Sequence, residues 1–232
     1  LTISINQPAY IPWLGYYHRM AQSDKFVFLD HVQFEKNSFI NRNKIRVSNG
    51  SAWLTIPVKT SGKYGDLAIN KLEVIDNGWR KKHLDSIRMN YARTPGFDLY
   101  YPQIELVFKE STLLIAPFLF RMNELFMKLL GIETTVIKSS ELDLQGSKSD
   151  LILEICLKLN AKKYFSGKLG KDYLDLQIFE DKGIEVVFQD YVHPIYTQKY
   201  PDFEPYMSVI DLIMNHGSNS LNIILENNLR FE

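Results

Sequence analysis

Residues 1–34, LTISINQPAYIPWLGYYHRMAQSDKFVFLDHVQF, decide the fold. LTISI is a short β-branched run that stops at Asn6-Gln7-Pro8. LGYYHRMAQSD then places Leu14, Tyr17 and Met20 or Ala21 at helical spacing, and KFVFLDHVQF reads as a second strand. Strand, turn, helix and strand in this order open a βαβ unit and hence a parallel sheet.

The same alternation returns downstream as TTVIKSS (134–140, strand), SKSDLILEICLKLNA (147–161, helix), KKYFSG (162–167, strand), DYLDLQIFEDKG (172–183, helix) and IEVVFQDY (184–191, strand). Strands spaced by single helices predict an α/β fold: a doubly wound parallel sheet, Rossmann-like, of order 3-2-1-4-5. Two stretches interrupt the rhythm. Residues 36–60 contain NRNKIRVSNGSAWLTIPVK, two β runs joined at Ser-Asn-Gly, which predicts an inserted hairpin. Residues 79–130 are helical in texture and end on Gly131, suited to a C-cap, with Pro117 marking a kink or a first turn. TSGKYGD (60–66) reads as a polar loop, and PDFEPYMSVIDLIMNHG (201–217) as a late helix. No repeat or linker divides residues 1–232, so one elaborated α/β domain is expected.

The 232 residues carry 27 Lys plus Arg and 27 Asp plus Glu, and 45% are hydrophobic. This balance gives no overall pull toward nucleic acid, which is not an expected partner. The longest apolar run, TLLIAPFLF (112–120), is too short to span a bilayer, and no signal peptide is visible, so a cytoplasmic location is expected. Cys156 is the one cysteine, and it falls on the apolar face of a helical pattern as a core residue.

In a 3-2-1-4-5 sheet the first and fourth strands are neighbours whose connections leave in opposite directions, and ligands settle beyond their carboxyl ends. That rule brings Asn6-Gln7-Pro8 beside Ser166-Gly167-Lys168-Leu169-Gly170. Ser166, Gly167 and Lys168 have the hydroxyl, the open backbone and the charge that suit a phosphate, although SGKLGK is neither a Walker A loop nor GxGxxG. Ser147 or Ser149 suits a helix cap. Asn41, Arg42 and Asn43 are of the types that hold phosphate and hydroxyl groups. Tyr10, Trp13 and Tyr16 suit stacking on a sugar or base. His31, following Asp30, and His193 stand just past strand ends, where a general base belongs. None of the five histidines has metal-ligand spacing, so no metal site is expected.

INQPAYIPWLGYYHRMAQSDKFVFLDHVQFEKNSFINRNKI resembles the N-terminal signature of the WbqC-like family, and WLTIPVK, YFSGKLGKDYLD, VVFQDYVHPIYTQ and SVIDLIMNHG resemble its later segments. The likeness spans nearly the whole chain. The family pattern usually reads His-Gln-Pro where this chain has Asn6-Gln7-Pro8, so any acid or base role of that histidine is either lost here or moved to His18 or His31. Through these segments the resemblance also draws in Asp172, Tyr173, His193 and Tyr196 as ligand-binding candidates. A more distant likeness joins the opening to the nucleotidyltransferase-like (HUP) superfamily, but its HxGH signature is replaced here by Trp13-Leu14-Gly15-Tyr16.

The family's association with O-antigen and other surface-polysaccharide gene clusters implies work on a nucleotide-linked sugar or another phosphorylated small molecule. The leading expectation is transfer of an acyl or aminoacyl group to a nucleotide-linked amino sugar, with a nucleotide or acyl-CoA as donor. His31 or His18 is expected as base, Asp30 as its orienting group, and Asn6 and Gln7 as polar donors. A nucleotidyltransferase or adenylate-forming ligase and a non-catalytic sugar-nucleotide-binding protein are the alternatives.

Overall fold

The computed structural model describes residues 1–62 and 67–228. The expected polar loop at 60–66 thus lies, in its 63–66 part, outside the described residues. Five parallel strands form the main sheet: β1 (Thr2–Asn6), β2 (Lys25–Phe28), β5 (Thr135–Lys138), β6 (Lys163–Ser166) and β7 (Glu185–Phe188). They lie side by side as β5-β2-β1-β6-β7. Counted within this sheet alone that is 3-2-1-4-5, the expected doubly wound order.

Alternation along the strands sorts the core into two layers. Ile3 and Ile5 of β1 and Val27 of β2 pack with Leu151, Ile155 and Cys156 of α5 (Lys148–Lys158) and with Phe179 of α6 (Leu176–Glu180). Phe26 and Phe28 point the other way, toward Tyr16, Tyr17 and Met20 of α1 (Leu14–Ala21) and Leu119 and Phe126 of α4 (Ile115–Leu130). Burial pushes the Cys156 thiol up to about 12, which makes it inert core at neutral pH.

The hairpin expected within 36–60 is β3 (Arg42–Val47) paired with β4 (Gly50–Thr55) as a separate two-stranded sheet, closed at Ser48-Asn49 with Gly50 at a φ of 115°. The helical stretch resolves into α2 (Trp79–Tyr91), α3 (Phe97–Lys109) and α4. Pro117 is the third residue of α4, in the first turn, where its missing N–H costs nothing. Gly131 ends that helix at a φ of 72°.

Two expected helices come out shorter. Instead of running from 172, α6 starts at Leu176, because Lys168–Asp172 winds as a 3₁₀ turn and the Asp175 carboxylate caps the later helix by accepting from the Gln177 amide at 3.2 Å. At the C-terminal end α7 spans only Val209–His216, followed by α8 (Ser220–Leu225). Pro201 and Pro205 keep the preceding segment irregular. No helix among the described residues is long and apolar enough to cross a membrane.

Candidate functional site

The sheet is parted where the topology requires a crevice. β1 pairs with β2 over four residues, from Ile3 to Asn6, but with β6 only through Thr2–Lys163 and Ile3–Tyr164. Beyond that point the Ser4 hydroxyl, 2.8 Å from the Phe165 carbonyl oxygen, replaces the missing ladder bond. Ser4 Oγ also accepts from Ser23 Oγ at 2.8 Å, which ties the end of α1 to the split. Asn6 and Gln7 on one side, and Ser166, Gly167 and Lys168 on the other, therefore flank the opening, as the sequence predicts.

Gly170 shapes the β6 side. A side chain there would put its Cβ 2.1 Å from Ser166 Oγ, so the 3₁₀ turn folds back on Ser166 only because residue 170 has none. Ser166 is buried, whereas Lys168, Asp172 and Tyr173 are exposed.

On the other side of β1, the Leu29 amide donates to the Asn6 carbonyl oxygen at 2.8 Å, which sets Asp30 and His31 beside Asn6. Asp30 is 2% exposed, and its carboxylate accepts from Ser139 Oγ at 3.0 Å, Ser140 N at 2.9 Å and Ser140 Oγ at 2.7 Å. Ser139 Oγ in turn lies 2.6 Å from His31 Nδ1. Asp30 therefore positions His31 through Ser139 rather than by direct contact. A carboxylate can only accept, so the single Ser139 hydroxyl hydrogen goes to Asp30 and His31 Nδ1 carries the proton. The lone pair of the neutral ring is left on Nε2, the tautomer a general base needs.

His18 has the opposite tautomer. Gln189 Nε2 donates to the Gly15 carbonyl oxygen at 2.8 Å and lies 2.9 Å from His18 Nδ1. With one amide hydrogen on Gly15 and the other on the imidazole, His18 Nδ1 accepts and Nε2 carries the hydrogen. That Nε2–H is buried without a partner. Burial, aided by the neighbouring Arg19 charge, pulls the His18 pKa down to about 4, so the ring is neutral at pH 7. It tilts against Tyr191 with ring centres 5.0 Å apart, and the Tyr191 hydroxyl is likewise buried and unpartnered.

Sequence reasoning missed Arg19. It is 3% exposed, beside Gly167, where a Cβ would stand 3.2 Å from its Nη1. Amphipathic reading assigns an arginine in a helix to solvent, yet every residue from Leu14 to Met20 is buried. The letters give no clue, because Gly15, His18, Arg19 and Gln22 recur at helical spacing as a polar stripe, and only the structure shows Gly15, His18 and Arg19 buried.

Several other candidates have partners within the fold. Tyr10 is fully buried with its hydroxyl 2.7 Å from His83 Nδ1. Asn43 Nδ2 holds the Ile11 carbonyl oxygen at 2.8 Å and the Tyr10 carbonyl oxygen at 3.3 Å, and Asn41 Nδ2 holds that of Ile56 at 2.9 Å. The Asn43 bonds clamp a turn in which Ile11, a β-branched residue, has a φ of 38°. Arg42 donates to the Asn37 carbonyl oxygen at 2.7 Å and lies over Trp53. Tyr16 donates to the Gln7 carbonyl oxygen at 3.3 Å, and Trp13 packs edge-on against Tyr16 and beside Phe39. His193 accepts from the Tyr206 amide at 2.9 Å, and Tyr196 donates to the buried Asp211 carboxylate at 2.9 Å. Ser149 Oγ accepts from the Asp175 amide at 2.8 Å, and Ser147 caps nothing with its side chain.

The larger surface concavities are less suited to chemistry. One of about 600 Å³ between α3 and α4 is lined by Arg121 and Glu124, already paired at 2.8 Å. Another of about 420 Å³ lies at the β7 edge against Leu176 and Val186.

The model of the WbqC-like protein family matches residues 7–223. An uncharacterized protein of Mycobacterium tuberculosis, Rv1507c, is 29% identical over 220 residues, which cover 94% of this chain and 95% of that protein. No solved structure matches the chain.

Proposed function

The chain belongs to the WbqC-like protein family, and from that premise we propose that it is an enzyme of surface-polysaccharide sugar biosynthesis, transferring a small acyl or aminoacyl group to the amine of a nucleotide-linked amino sugar. The observation that carries this reading is the Asp30–Ser139–His31 chain, which fixes the Nδ1–H tautomer of the His31 imidazole beside the end of β1. An amino sugar is protonated in water, and its nitrogen attacks only after losing a proton. The ammonium gives that proton to solvent, the neutral amine forms the C–N bond at the acyl carbon while His31 takes a second proton from the nitrogen, and the C–S bond of a thioester donor breaks as His31 passes its proton to the departing thiolate. The half-buried Asn6 and Gln7 amides are assigned as donors to the developing oxyanion. His18 is not the base in this scheme, because its Nδ1 already accepts a hydrogen bond from Gln189.

The phosphate side of the substrate is assigned to the β6 side of the crevice, at Ser166, Gly167 and Lys168. Two inter-strand spacings separate the ends of β2 and β6, about 10 Å. That span suits a sugar at His31 with its diphosphate at Gly167.

The test is a transfer assay with acyl-CoA donors and UDP- or dTDP-linked amino sugars, followed by mass spectrometry of the sugar product. His31→Gln should lower kcat by about 10²–10⁴-fold, and an unchanged rate would remove His31 as base. Asn6 at the usual histidine position favours a second reading, ligand binding without turnover. Sugar-nucleotide affinity with no product from any donor would select it.

A further inference from the structure

Arg19 is a buried cation without a counter-charge. Only 3% of its surface is exposed, its Nε has no hydrogen-bond partner, and none of the ion pairs among the described residues includes it. Its burial lowers its pKa, and the neighbouring Tyr164, Tyr16 and Tyr173 could oppose that only as phenolates, a form their own raised pKa values disfavour. A guanidinium keeps its charge under these conditions. Arginines are almost never fully buried unless paired, because the desolvation penalty of an isolated charge is several kcal/mol. Something that binds is the natural source of the missing anion.

The location says where that anion sits. Arg19 Nη1 would be 3.2 Å from a Cβ on residue 167, so the absence of a side chain at Gly167 is what leaves the guanidinium its room at the carboxyl end of β6. This is the strand end at which β1 and β6 have parted. Lys168, the next residue, adds an exposed positive charge, against which Asp172 on the same turn adds one negative charge. His18, the preceding residue on α1, carries an unpartnered Nε2–H and its Nδ1 is taken by Gln189.

We propose that Arg19 is the counter-charge for a phosphate group, the diphosphate of a nucleotide-linked substrate, bound between Gly167-Lys168 and the end of β1. The planar guanidinium offers a two-pronged donor that matches phosphate oxygens. For the identity of the full ligand this rests on the proposed function. Binding of a phosphate itself requires no transfer chemistry.

Inorganic pyrophosphate is the probe, titrated at constant ionic strength while the thermal midpoint is followed. The wild-type protein should be stabilised in a dose-dependent way. Arg19→Met removes the charge and keeps much of the volume. It should fold with a midpoint equal to or above wild type in the absence of ligand, and bind pyrophosphate at least about tenfold more weakly. Should that variant not fold, Arg19→Lys, which keeps the charge but loses the fork, should weaken binding by a similar factor.

No response of the wild type to pyrophosphate would overturn the proposal, as would wild-type affinity in a folded Met or Lys variant. So would a lower ligand-free midpoint combined with unchanged affinity, which describes an arginine that only braces the fold. Pyrophosphate binding without any acyl transfer would count against the proposed reaction and leave this anchor in place.

Discussion

Ser139 Oγ stands 2.6 Å from His31 Nδ1 and gives its only hydrogen to the buried Asp30 carboxylate, so His31 must donate to Ser139. Ser139→Ala removes that acceptor, the hydroxyl donor to the buried Asp30 carboxylate, and one of the two acceptors of the Asp30 amide, which reaches Ser139 Oγ and the Phe28 carbonyl oxygen at 3.0 Å each. The variant should lose about 1–3 kcal/mol in denaturant unfolding. Nitrogen-15 imidazole shifts should show His31 passing from one tautomer to a mixture. Unchanged shifts would mean that Ser139 does not set the tautomer.

His18 and His83 make stability fall in mild acid. Burial is the first cause in both, and each has its pKa lowered from 6.5 to about 4. Above pH 6.5 both are neutral, folded or unfolded, and their contribution is fully present. Between pH 6.5 and 4 the unfolded chain binds more protons, so stability falls as pH falls through that window. His18→Gln and His83→Gln should each flatten the slope of unfolding free energy against pH there. A slope identical to wild type in both would contradict the assigned burial.

Gly170→Ala forces a Cβ to within 2.1 Å of Ser166 Oγ and 3.1 Å of Leu174. A cost of about 1–3 kcal/mol is expected from overpacking. Adding Ser166→Ala should recover part of it, since the nearest obstacle is then gone. Additive losses in the double variant would show that the turn does not fold against Ser166.

Asn43 Nδ2 holds the Tyr10 and Ile11 carbonyl oxygens, and its expected role is to support the fold. Asn43→Ala should lower stability by about 1–3 kcal/mol through the lost Tyr10 and Ile11 carbonyl partners, while leaving the thermal response to pyrophosphate intact. Loss of that response at unchanged stability would place Asn43 at the ligand instead.

The sheet was legible because its five strands are short β-branched or aromatic runs set apart by helical spacing, and strand order then follows from the handedness of the crossovers. The crevice followed from order alone, which is why Asn6 and Gly167 could be placed without a motif. Helix boundaries were less readable: nothing in DYLDLQIFEDKG announces that Asp175, rather than an earlier residue, is the cap. The site was legible in its backbone and not in its hydrogen bonding. His18 and His31 look alike as letters, and only Gln189 and Ser139, one 171 and the other 108 residues away in sequence, give them opposite tautomers. Arg19 escaped notice because its meaning lies in a missing partner, and a missing partner is a fact about three dimensions.

The most direct measurement is a crystal structure of the protein with a dTDP- or UDP-linked amino sugar. The diphosphate should lie against Arg19 and Gly167, with the sugar amine within hydrogen-bond reach of His31 Nε2. A diphosphate seated elsewhere, such as the concavity of about 330 Å³ lined by Asn37, Asn41 and Arg42 at the foot of the hairpin, would contradict it.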